Sequence, residues 1–427
     1  MEAFFEHFEQ LNDQHKVDIL LQLCNTLTPV NQGIICEHLK TISKIDFITR
    51  LPVELSRQII TNLDAKSICS CARVKKNWEI IANSDEVWQK LCLQHVKKEC
   101  VKCGWSLPCL DNIMDTNWKD FYKRRMKVEK NWRKGVYSCS YLQTSISGQE
   151  DGITALYFNE MYLITGGWDT FIYIWDIKSR KLLQKLSGHS GCVRGLKFDN
   201  DKLMSVSMDK SLKIWSISEG KLMRSFDNAH NEGITCIDFD WPIVATGSND
   251  HSIKIWDFST GESSQIIAHE DWVNRVLLYH KESVISCSDD NTVKLWDIAS
   301  KSCLKTFQHD AQVQGLSMMS SKHYTNSKYP EFIISGDLEG IITLWNVKNN
   351  SQIEFFGNKS GIWTISINPQ RIIAGTVDGS IKIWNLSGEL KLVLNKHESD
   401  VKCIQMDETK IISGSEDNSI LLWNFDI

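Results

Sequence analysis

The sequence predicts a multidomain chain, an all-α N-terminal third followed by an all-β, seven-bladed propeller. Three observations carry this reading. A two-strand unit with a tight turn recurs seven times between residues 164 and 425, and its tryptophans are spaced about 41 residues apart on average. The first 134 residues show helical rather than alternating apolar spacing. Composition agrees with folded domains: 427 residues carry a net charge of −5, with 42% hydrophobic and 24% charged side chains. No run of 18 apolar residues occurs, and Met1 to Glu6 lack the basic start and apolar core of a secretory signal. Neither a membrane span nor secretion is expected. The fourteen cysteines follow no disulfide framework, which points to reduced thiols and to residence in the cytoplasm or nucleus.

Within residues 1–46, Val17, Leu20, Leu21 and Cys24, then Ile35, Leu39 and Ile42, mark amphipathic helices. Pro52 suits a first helical turn, and Leu55, Ile59 and Leu63 follow at four-residue steps. Asp64 is placed to cap a helix carrying Ile68, Cys71, Val74 and Trp78, and a third helix after Ser84 and Asp85 presents Trp88 and Leu91.

Residues 47–93 resemble an F-box, on the opening Leu51, Pro52, Glu54 and Leu55, the leucine and tryptophan positions, and the closing Val87, Trp88, Leu91 and Cys92. Lys75 departs from the pattern, where many members have cysteine. The resemblance implies that Leu51, Pro52, Leu55, Ile59, Leu63, Ile68, Val74 and Trp78 dock the Skp-family adaptor of a cullin-RING ubiquitin ligase. The helices of residues 1–46 look like the dimerisation region that precedes the F-box in relatives, so a homodimer is expected.

Residues 94–134 read as a helical linker. Between Lys119 and Lys134 eight basic residues face two acidic ones, a net +6 that reads as a solvated helix face. A nucleic-acid role is the minor reading, since no aromatic-interleaved groove accompanies the run. Cys92, His95, Cys100, Cys103 and Cys109 raise a zinc question, but one C-x2-C pair is weak evidence and no metal or other cofactor is expected.

The repeats read ITGGWDTFIYIWDI, SVSMDKSLKIWSI, TGSNDHSIKIWDF, SCSDDNTVKLWDI, SGDLEGIITLWNV, AGTVDGSIKIWNL and SGSEDNSILLWNF. Their tryptophans are Trp175, Trp215, Trp256, Trp296, Trp345, Trp384 and Trp423. Residues 135–427 thereby resemble the WD-repeat propeller family. Each unit is too small to bury its own apolar face, and four-stranded blades arranged in a ring bury those faces against one another. The acid six residues before each tryptophan (Asp169, Asp209, Asp250, Asp290, Glu339, Asp378, Asp417) is expected to meet a histidine from the preceding loop: His189, His230, His269, His309 or His397. Gln149 and Asn358 stand in for histidine in the first and sixth repeats. Recurrence from blade to blade marks these pairs as structural rather than catalytic.

Only four residues follow Trp423, so the outermost strand of the last blade must come from elsewhere, and residues 136–144 are the expected source. The 49-residue interval between Trp296 and Trp345 places a polar loop at residues 320–331, between the first two strands of blade five.

No Walker loop, G-x-S-x-G, HExxH or nucleotide fingerprint occurs, so no catalytic residue is assigned and the chain is not expected to be an enzyme. The two resemblances together imply a non-catalytic substrate-recognition subunit of an SCF-type E3 ubiquitin ligase. The rival readings are a WD-repeat scaffold outside any ligase and a chromatin or nucleic-acid protein, which the net charge disfavours. Strand counting aims Thr154, Arg194, Thr235, Asn274, Gln314, Trp363 and Lys402 at the top of the channel. Trp168, Met208, Asn249, Asp289, Leu338, Val377 and Glu416 fall nearby. The expected substrate surface is Arg194, Lys402, Thr154, Trp168, Met208, Trp272 and Trp363, holding an acidic or singly phosphorylated peptide with an apolar neighbour.

Overall fold

The computed structural model describes residues 46–92, 117–142, 151–319, 331–355 and 358–427, with the isolated residues 28 and 31. The chain divides into two compact units, Met1–Cys92 and Leu93–Ile427.

In the first unit α1 (Phe47–Arg50), α2 (Val53–Ile60), α3 (Ala65–Cys71) and α4 (Lys76–Ala82) precede helical residues 85–92. Pro52 occupies the N-cap position of α2, and Asp64 caps α3 by accepting from the Ser67 amide. The expected single helix from Ile68 to Trp78 is broken. The Arg73 and Val74 amides bond to Ser70 and Cys71, three residues back, tightening the turn, and Lys75 is extended. Ile48, Ile60, Ile68, Ile81, Val87 and Trp88 are buried, and the Trp88 indole donates to the Ala82 carbonyl at 2.8 Å. The amphipathic stripes expected in residues 1–46 lie outside the described residues, as do His95, Cys100, Cys103 and Cys109.

In the second unit the described strands form seven four-stranded sheets. Blades one to six occupy residues 153–186, 193–226, 234–267, 273–308, 313–355 and 362–395, each with its strands in chain order. Blade seven takes three strands from residues 401–424 and its outermost from Ser138–Leu142, which pairs antiparallel with Ile420–Asn424, Cys139 opposite Trp423. The ring closes as the missing strand required. Residues 320–330 of the long blade-five loop, and Gln149, are outside the described residues.

A helix, α5 (Trp118–Lys134), lies under blades six and seven. Its buried face carries Trp118, Tyr122, Arg125, Val128, Asn131 and Trp132. Trp132 stacks on Phe425 with ring centroids 3.5 Å apart and donates to the Glu408 carbonyl at 2.9 Å. The helix stops at Gly135, whose φ of +65° needs no side chain, and a Cβ there would come within 2.9 Å of Leu392.

Candidate functional site

Blades two, three, four, five and seven are each pinned by a relay of polar groups. In blade two His189 Nδ1 meets Asp209 at 2.8 Å, its Nε2 meets Ser205 Oγ at 2.8 Å, and the Trp215 indole donates to that same hydroxyl at 2.8 Å. Blades three, four and seven repeat the arrangement through Asp250, His230 and Thr246, through Asp290, His269 and Ser286, and through Asp417, His397 and Ser413. Burial opposes ionisation of Asp209, yet bonds from His189 and Ser211 hold its carboxyl well below the usual carboxylate range. In blade five the sequence expectation of Glu339 is corrected. His309 meets Asp337 at 3.1 Å, because the chain between the strand and its turn places the acid two residues earlier. In blade six Asn358 does not replace histidine directly; Lys382 reaches Asn358 at 2.5 Å and Asp378 at 3.3 Å, standing between them.

These relays fix the innermost strands, whose side chains ring the channel. All seven sequence-expected positions line its top, where the free space shrinks to about 20 Å³, room for about one water. Most are already occupied. Thr154 is buried and donates to the Val193 carbonyl of the next blade at 2.5 Å, Thr235 bonds Val273 likewise, and Asn274 donates to Val313 at 3.0 Å. Thr154 is therefore an inter-blade stitch as well as a channel position, a role that strand counting could not show. Gln314 and Asn274 both donate to Asp289, whose carboxyl is pushed up by burial.

Lys402 is also engaged. Its ammonium lies 3.0 Å from Asp400 and 3.1 Å from Glu416 and sits 3.2 Å over the Trp363 ring, while the Trp363 indole donates to Asp400 at 2.8 Å. Two carboxylates thus surround the one ammonium. Arg194 differs: among the described residues no hydrogen bond or ion pair holds its guanidinium. Burial pushes that guanidinium down from its ordinary value, and the like charge of Arg275 adds to the shift. Arg275 is the residue that sequence reasoning missed. A register shift near the start of every innermost strand brings the second following position onto the channel wall. Those positions are Ala155, Gly195, Cys236, Gly315, Thr364 and Cys403 in six blades and arginine in blade four. The small residues have a packing reason, since a Cβ on Gly195 would stand 2.8 Å from Val206. Comparing the repeats column by column is the signal that would have found Arg275. Below the two arginines the channel widens to about 360 Å³. Around the upper rim Trp168 and Trp272 are each half exposed, and Met208 lies over Gly233.

On the helical unit Val53, Leu55, Ile59, Val74 and Ile80 are exposed, Val74 at 64%. Pro52 is exposed too, and Leu51, Leu63 and Trp78 are half-buried. The Trp78 indole donates to Asp46 at 2.6 Å; bonds from Thr49 and Trp78 bring that carboxyl down to about 2. Ile68 is fully buried, so it belongs to the core of the unit and not to the adaptor surface expected for it. Val53 and Ile80, which the sequence reading did not single out, are exposed on this unit. Among the described residues no group of side chains has the makings of a metal site, and no helix is long and apolar enough to cross a membrane.

Comparison with known proteins decides the family. The WD domain, G-beta repeat model matches residues 136–176, 180–216, 220–257, 261–297, 349–385 and 388–424, more than half the chain, and the F-box-like model matches residues 48–94. The chain belongs to the F-box/WD-repeat family. Blade five falls between the matched repeats, consistent with its displaced acid and long loop. An F-box protein of Saccharomyces cerevisiae is 34% identical over 421 residues, covering 84% of this chain and 65% of that protein. The probable E3 ubiquitin ligase complex SCF subunit sconB of Arthroderma otae is 36% identical over 172 residues, covering 34% of this chain and 25% of that protein. The chain thus spans about two thirds or less of these relatives' own lengths. The computationally designed Ika8 protein superposes with a TM-score of 0.53 at 24% identity, over 66% of this chain and 98% of that one, a likeness of fold alone.

Proposed function

We propose that this F-box/WD-repeat chain is the non-catalytic substrate-recognition subunit of an SCF-type E3 ubiquitin ligase. The observation that carries the reading is an F-box with an uncovered apolar face on the same chain as a closed propeller whose channel is lined by two arginines, Arg194 and Arg275, neither in an ion pair among the described residues. Exposed Val53, Leu55, Ile59, Val74 and Ile80 are costly in water and suit the Skp-family adaptor, and through it the cullin and RING subunits. Arg194 and Arg275 suit an acidic or singly phosphorylated side chain of the substrate, with Trp168, Met208 and Trp272 offering apolar contact to its neighbours. Trp363 and Lys402 shape the wall. The chain then contributes proximity, raising the effective concentration of substrate lysines near the charged ubiquitin carrier. Cys69, Cys71, Cys139, Cys192, Cys236, Cys287, Cys303 and Cys403 are free thiols, which supports work in the cytoplasm or nucleus.

The test is co-purification of the full chain with adaptor and cullin, together with capture of client proteins. A Leu55→Ser, Ile59→Ser variant should lose the ligase subunits and keep its clients, and an Arg194→Ala, Arg275→Ala variant should do the reverse. A folded Leu55→Ser, Ile59→Ser chain that still brings down cullin rejects the adaptor assignment.

A further inference from the structure

Beneath the two arginines the channel leads into a second space. A groove of about 740 Å³ runs along the bottom of the propeller, between α5 and the turns that follow the innermost strands of blades one, six and seven. Met318 and Gln405 border both this groove and the chamber of about 360 Å³ above it, so the two spaces adjoin. Cys403 shares the repeat position of Arg275, and Met406 lies three residues further along its strand, roughly 10 Å at the rise of a strand.

The polar groups of the groove are matched among themselves. Arg124 pairs with Asp426, Arg125 with Glu408 and Lys410 with Asp407. The Gln405 amide is engaged by the Phe158 backbone, accepting at 2.7 Å and donating at 3.1 Å. The side-chain carbonyls of Asn159 and Asn368 accept amides of their own turns. What faces a ligand is Phe121, Phe158, Met318, Met319, Ile367 and Met406, ring and thioether surface that adapts to a flexible chain. The one charge of the groove lining with no ion pair among the described residues is Glu160, an exposed acid that disfavours an anion there.

The chamber has the opposite character. Lys197 is paired with Asp238, which also accepts from the Leu278 amide at 2.7 Å. Arg194 and Arg275 have no hydrogen bond or ion pair among the described residues, and their like charges bear on one another. Two unmatched guanidiniums in one chamber call for an anion. We propose that chamber and groove form one site for a single-chain amphiphilic anion, a fatty acid or an alkyl phosphate, with its head on Arg194 and Arg275 and its chain in the groove beneath. An apolar pocket of this size with a few convergent polar groups is the usual form of a small-molecule site. The site goes beyond the ligase reading and does not rest on it, because both arginines border the chamber below as well as the constriction above.

Calorimetry on the full chain tests it with three probes: decyl phosphate, inorganic phosphate and decanol. Decyl phosphate should bind at one per chain, at least tenfold tighter than either of the others. Arg275→Gln should weaken decyl phosphate about tenfold or more, the effect of a lost charge-assisted contact. A Met319→Glu, Met406→Glu variant should weaken decyl phosphate about as much and leave inorganic phosphate unchanged, since the head and chain contacts are separate. Decyl phosphate that binds no tighter than inorganic phosphate leaves only an oxyanion on the arginines and overturns the proposal. Decanol that binds as tightly as decyl phosphate overturns it equally, as does binding that survives both variants. The comparison of probes on the parent needs no variant, and unchanged melting curves for the variants separate a lost contact from a lost fold.

Discussion

Trp384 carries a buried indole N–H that finds no acceptor, and Ala374 occupies the position whose hydroxyl accepts that bond in the other six blades. Blade six has lost the histidine and the hydroxyl together, and an alanine that leaves the indole unpaired is the consequence. Restoring the acceptor with Ala374→Ser should therefore raise stability by about 0.5 to 1.5 kcal/mol, read as a higher urea midpoint at unchanged slope. The reverse change in blade two, Ser205→Ala, strips a partner from both His189 and Trp215 and should cost about 1 to 3 kcal/mol per buried group left unpaired.

The relays also set a pH dependence. Burial lowers His230 and His269 from their ordinary 6.5, against the pull of Asp250 and Asp290. The unfolded chain then takes up these protons before the folded one does, so stability present above about pH 6.5 falls as the pH drops below it. Asp209, Asp250, Asp290 and Asp417 sit below their ordinary 3.8 when folded, and the stability they confer is lost as the pH falls through that value. Melting temperatures between pH 8 and pH 3 should be level down to about 7, decline through 6 and 5, and drop steeply below 4. A curve level from pH 8 to 4 contradicts the histidine contribution.

Closure of the ring gives a third expectation. Leu142 is 1% exposed and packs in the cluster shared by blades seven and one. Leu142→Ala should cost about 2 to 5 kcal/mol, a loss typical of a buried leucine, and should lower the melting of the whole propeller in one transition. Unfolding of a local segment with the main transition unmoved would show that the strand is an accessory.

For the adaptor face, Ile68 and Ile59 make a useful contrast. Ile68→Ala should destabilise the helical unit by about 2 to 5 kcal/mol, because its side chain is core. Ile59→Ser should leave the fold within about 0.5 kcal/mol and weaken adaptor binding by about 2 kcal/mol, roughly 30-fold, in calorimetry. Equal affinity for the two folded variants would mean that the adaptor lies elsewhere.

At the channel, Arg194→Ala should reduce capture of an acidic or phosphorylated client some ten- to a hundred-fold, the effect of about 1.5 to 3 kcal/mol for a charge-assisted contact. Arg275→Ala should act in the same direction. Lys402→Ala should have a smaller effect on affinity, since its charge is matched by Asp400 and Glu416. A Lys402 variant that loses more than the Arg194 variant would return the binding centre to blade seven.

The repeat period alone determined the seven blades and their tryptophans, because each blade's local pattern recurs at a nearly constant spacing. It also placed Arg194, Trp363 and Lys402 on the channel. What it could not settle was which of those side chains remain available. Lys402 lost its free charge to residues two and fourteen positions away, and Thr154 lost its hydroxyl to a carbonyl in the next blade. Arg275 entered the channel through a backbone shift that leaves no mark in the apolar alternation. Ile68 and Ile59 sit on helices of similar pattern, and only the packing of α4 and the helix beyond it decided that one faces inward and the other outward. Local sequence sets which elements form and which face each carries; availability for binding depends on neighbours distant in the chain, and those are fixed only when the blades and helices pack.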